Sequence, residues 1–148
     1  MTATLQREPG RCASLKAVVL YDGLESGTRA EALLTRATGR ARWRGKFEMA
    51  FWRFDVMSHP NIAREALYLA ADADVVLVVA EQAMSPPRWL LEWLELWAAT
   101  RRVQDAVLAA WCRHHERGSL PKAVQSLRDL AGRYGVEWLC AEELERAR

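Results

Sequence analysis

The chain has 148 residues, 51% of them apolar and 27% charged, with a formal net charge of +2. That is the length of about one domain with material for a buried core, and the composition of an ordinary globular protein. So small a charge does not by itself imply nucleic acid or an anionic membrane as partner.

Residues 1–14, with Pro9, Gly10 and scattered charges, read as a flexible leader to a single domain over 15–148. The leader lacks the apolar core of a signal peptide. No later run reaches the roughly 18 apolar residues of a membrane helix, so a soluble cytoplasmic protein is expected. Lys16–Tyr21 (KAVVLY) is the first buried strand, closed by Asp22-Gly23. Gly27-Thr28 offers a helix cap, and Ala30, Leu33, Leu34 and Ala37 carry the helical spacing until Gly39 stops it. Arg40 to Lys46 is a basic connector. Phe47–Val56 (FEMAFWRFDV) is aromatic and β-prone, and the interruptions at Glu48 and Arg53 suit an edge strand.

Ser58-His59-Pro60 opens a second helix with Ile62, Ala63, Ala66, Leu67 and Ala70 on its apolar stripe. Val75–Ala80 (VVLVVA) is wholly apolar with no alternation, as in a strand covered on both faces of a parallel sheet. Ser85-Pro86-Pro87 starts a third helix running to Arg101. Asp105–Trp111 is a fourth strand, and Cys112–Ser119 a polar loop. Pro121 sits near the start of a fourth helix that stops at Gly135. Val136–Cys140 is a fifth strand, and Ala141–Arg148 a charged terminal helix. Five strands alternating with helices predict an α/β fold: a three-layer αβα sandwich with a parallel, flavodoxin-like sheet of order 2-1-3-4-5.

Ligands of such sheets bind outside the carboxyl ends of the strands, at the switch between strands 1 and 3. Asp22, Asp55 and Glu81 each end a strand there. The architecture resembles a receiver domain, and Asp22 matches one of the acids such a domain uses to hold Mg²⁺. The resemblance implies a phosphoacceptor aspartate ending strand 3 and a lysine ending strand 5. Val79-Ala80-Glu81 and Trp138-Leu139-Cys140-Ala141 stand at those places instead. Separately, Tyr21–Thr28 resembles a flavodoxin phosphate loop, which implies Ser26, Gly27 and Thr28 receiving a phosphate at a helix N-terminus. Asp22 and Glu25 would repel that dianion, and a plain turn with a helix cap explains the same residues. The acids could also act as a catalytic acid and base, for example on a glycosyl bond, although strand-end acids are common as exposed caps.

The three cysteines, Cys12, Cys112 and Cys140, contain no CxxC pair, which argues against a disulfide framework or a zinc ribbon. His59, His114 and His115 match no zinc spacing. Cys112 beside His114 could form a nucleophile and base, with an ordinary strand-end thiol as the plainer account. Arg36, Arg40, Arg42, Arg44 and Lys46 around Trp43 could contact single-stranded nucleic acid, or simply guard the edge strand. Trp89, Trp93 and Trp97 recur at i+4 on the third helix, with Leu90, Leu91 and Leu94 widening the apolar surface. A helix on one sheet face needs roughly 100° of apolar arc, so these tryptophans are either core or a partner surface. The resulting expectation is a non-catalytic regulatory or interaction module, self-associating through Trp89, Trp93 and Trp97, with no cofactor and no metal. The alternative is a small-ligand or nucleotide-binding protein, or an enzyme, using Asp22, Ser26, Thr28, Asp55 and Glu81.

Overall fold

The computed structural model describes residues 14–40, 42–80, 87–112 and 122–140. Glu81, Ser85, Pro86, Cys12, His114, His115, the 1–13 leader and the expected terminal helix 141–148 lie outside the described residues. The strands are β1 (Ser14–Tyr21), β2 (Lys46–Arg53), β3 (Val75–Ala80), β4 (Val107–Cys112) and β5 (Glu137–Cys140). The helices are α1 (Leu24–Arg40), α2 (Phe54–Met57), α3 (Pro60–Ala70), α4 (Arg88–Thr100) and α5 (Lys122–Tyr134). All strands pair in parallel in the order β2-β1-β3-β4-β5, the flavodoxin-like arrangement.

The apolar runs of the central strands serve both faces, because successive side chains point to opposite sides. Val18, Leu20, Val76, Val78, Leu108 and Ala110 pack against α3, α4 and α5. Ala17, Val19, Leu77, Val79, Ala109 and Trp111 pack against α1 through Ala30, Leu33 and Leu34. Strand β3, with neighbours on both sides, buries Val76 to Val79 almost completely.

One helix end and one strand end differ from the sequence reading. Helix α1 runs through Gly39 to Arg40, and the chain turns at Arg42 with φ of 56°. The Trp43 N–H donates to the Thr38 carbonyl and the Arg42 N–H to the Gly39 carbonyl, the paired bonds of a Schellman end. Gly39 is therefore inside the motif, and an arginine holds the left-handed position. At the end of α5 the same pair of bonds runs from Val136 to Ala131 and from Gly135 to Gly132, with Gly135 left-handed at φ 68° as expected. Strand β2 also ends earlier than its aromatic run, at Arg53, so Asp55 belongs to the single turn α2.

Candidate functional site

The loop after β1 is two residues long. Helix α1 begins at Leu24, so Ser26, Gly27 and Thr28 lie in its first turns rather than in a loop ahead of it. The Gly23 N–H donates to the Ser26 hydroxyl at 2.9 Å, a reach back from the third helical position like that of a capping box. The Ser26 hydroxyl lies 2.6 Å from Asp22 Oδ1 and 2.8 Å from the Gly23 carbonyl, either of which can accept its hydrogen bond. Ser26 is 0% exposed. The Gly27 N–H closes the first helical bond onto the Gly23 carbonyl. Thr28 is exposed and donates to the Leu24 carbonyl of its own helix. Of the groups the phosphate-loop resemblance implies, the Ser26 hydroxyl and the Gly23 and Gly27 amides are bonded within the helix start, and the Thr28 hydroxyl bonds back to its own helix.

Asp55 takes a different partner. Arg53 Nε donates to Asp55 Oδ1 at 2.8 Å on an exposed surface, and that hydrogen bond holds the Asp55 carboxyl below the usual carboxylate range. Asp22 and Asp55, the two described acids of the expected site, are thus engaged with Ser26 and Arg53 respectively. Glu81 lies outside the described residues. His59 is the exposed residue preceding α3. Among the described residues no group of three or more His, Cys, Asp or Glu side chains could hold a metal ion. Likewise no described helix is long and apolar enough to cross a membrane.

The three tryptophans of α4 do not share one fate. Trp97 is 0% exposed and Trp93 5%. Their indole N–H groups donate to the carbonyls of Ala70 and Ala63 on α3, each at 2.9 Å. Both therefore close the α3–α4 seam, which corrects their assignment to a partner surface: an i+4 spacing marks one helix face without saying what that face meets. Trp89 is half-buried and packs edge-on against Phe54, with ring centroids 5.9 Å apart.

One feature of the α1 side is absent from the sequence reading. An open groove of about 450 Å³ runs along α1, lined by Leu24, Glu25, Thr28, Arg29, Ala32, Leu33 and Arg36. The Arg29 guanidinium sits 4.2 Å from the ring centroid of Trp111, at the end of β4, in a cation–π contact. The i, i+4, i+8 rhythm of Leu24, Thr28 and Ala32 was available in the sequence; the long-range pairing of Arg29 with Trp111 was not. Comparisons with protein-family models, with curated proteins and with solved structures yield no match to this chain.

Proposed function

We propose that the chain is a non-catalytic regulatory or interaction module, acting in the cytoplasm and associating with itself. The observation that carries this reading is the state of Ser26, buried completely and bonded to Asp22 and Gly23. A phosphate or nucleotide site at the switch uses amides and hydroxyls at the helix start, and here the Ser26 hydroxyl and the Gly23 and Gly27 amides are bonded within that turn. The pairing of Asp55 with Arg53 supports the same reading, because a catalytic acid–base pair needs carboxyls facing a substrate.

The α1 groove favours a second reading, a small-ligand protein that uses Arg29 and Arg36 toward an anion. A thermal-shift screen with FMN, nucleotides, sugar phosphates and divalent metals separates the two. A native-state ligand at a hundred times its Kd stabilises by about 2.7 kcal/mol, so binding would be plain to see. The expected outcome is no shift with any compound. A shift abolished by Asp22→Ala would overturn the interaction reading in favour of the switch site, and one abolished by Arg29→Ala in favour of the groove.

A further inference from the structure

The sheet ends on two unequal edges. Strand β5 spans Glu137–Cys140, and so short an edge offers little to pair with. Strand β2 spans Lys46–Arg53 and is matched to β1 residue for residue from Ser14–Lys46 to Tyr21–Arg53, with no bulge. It contains neither proline nor glycine, and among the described residues β1 is its one strand neighbour. Among the described residues its outer side therefore presents alternate backbone N–H and C=O groups along a regular edge. Resting on the self-associating reading above, we propose that two copies of this chain join through β2, edge to edge and antiparallel, about a twofold axis at Ala50.

The strand's own sequence selects that register. Opposite residues of an antiparallel pair turn their backbone groups the same way relative to the ladder. Two identical edges can consequently meet only with the axis passing through a residue. An axis at Ala50 uses residues 47–53 of each copy and puts the smallest side chain of the strand at the centre. Met49 then lies opposite the partner's Phe51, and Phe47 opposite the partner's Arg53, each pair occurring twice by symmetry. Glu48 lies opposite the partner's Trp52, and no two like charges oppose one another. An axis at Met49 would bring the two Glu48 carboxylates onto diagonal neighbours, and one at Phe51 would shorten the ladder.

Side-chain exposure fits this occupant. Phe47 and Met49 are half-buried and Phe51 is 37% exposed, all on the α1 side of the sheet. Phe51 is steadied by an edge-on contact with Tyr21 at 6.1 Å between ring centroids. A second copy would extend this row into one continuous apolar strip. The outer face of α4 offers less, since Leu96 stands one turn from Glu92 and Thr100.

Sedimentation of the full chain over a wide concentration range tests the proposal. The wild-type protein is expected to form a dimer. Met49→Lys combined with Phe51→Lys sets lysine against lysine twice and should raise the dissociation constant about tenfold or more. Met49→Glu combined with Phe51→Lys restores opposite charges across the axis and should recover the dimer, while Leu96→Lys should leave it unchanged. Hydrogen exchange on the unaltered protein gives a readout free of any folding defect: alternate β2 amides should gain protection as concentration rises. A dimer unaffected by the lysine pair, or β2 amides indifferent to concentration, would overturn the β2 assignment and leave self-association standing. A wild-type monomer at every concentration would overturn both, and the ligand screen would still decide between a module for other proteins and a ligand site.

Discussion

The same central strands build two faces that are closed in different ways. On one, α3, α4 and α5 cover the sheet, and two tryptophans are fixed in direction by indole hydrogen bonds to α3. On the other, Ala30, Leu33 and Leu34 of α1 supply the buried helical contacts, and an open groove runs beside them. The first face is packed and hydrogen-bonded, so a truncation there leaves a void lined by groups that have few ways to relax. The second adjoins solvent, where neighbours can settle and water can enter. Stability is thus concentrated on the three-helix face, and adaptable surface on the α1 face.

Matched truncations break this comparison most strongly. Trp97→Ala should cost about 3–5 kcal/mol and Leu33→Ala about 2–3 kcal/mol in urea unfolding, since the cost tracks the cavity that survives. Equal losses, or a larger one at Leu33, would show that the groove side is as tightly built as the other. Next in size is Ser26→Ala, which removes the acceptor of the part-buried Gly23 N–H and the hydroxyl donor to Asp22 and should cost about 1–2 kcal/mol. A loss confined to the α1 amides in hydrogen exchange would place that contribution at the helix start.

The smallest effect is on the three-helix face and depends on pH. Arg102 bridges Asp72 through Nε at 2.8 Å and through a second nitrogen at 3.1 Å, tying the end of α3 to the turn before β4. The hydrogen bond from Arg102 lowers the Asp72 pKa below its ordinary value. A carboxyl that titrates lower in the folded state adds stability fully present above its unfolded pKa of about 4, and lost as pH falls through the folded value. Asp72→Asn should accordingly flatten the acid limb of the stability–pH curve while changing little at neutral pH, because the pair is exposed. An unchanged acid limb would remove the bridge from the account.

The sheet was legible in the sequence because apolar runs such as VVLVVA and VLAAW require cover on both faces, and the alternation with helices fixes parallel pairing. The fate of α4 was not, since spacing alone cannot tell a seam from a surface; the acceptors at Ala63 and Ala70 come from a different helix. The surroundings of the expected acids were not legible for a local reason. Asp55 bonds to Arg53 two residues back and Asp22 to Ser26 within the same turn, partners that strand-end position alone does not show, and Glu81 lies outside the described residues. Gly39 misled as a stop signal because the αL position of that helix end is occupied by Arg42, against the usual preference for glycine.

Asp74 is 1% exposed at the entrance to β3. Its N–H donates to the Lys16 carbonyl, its Oδ2 accepts from the Lys16 N–H at 2.9 Å, and its carbonyl accepts from the Val107 N–H. The strands it joins, AVVLY, VVLVVA and VLAAW, are nearly interchangeable by hydrophobicity, so apolar burial would tolerate a shifted alignment. A buried carboxyl would not, because any slip takes Asp74 Oδ2 out of reach of the Lys16 N–H. One acid thereby acts as the index mark of the sheet: it tells three otherwise ambiguous strands where to begin counting.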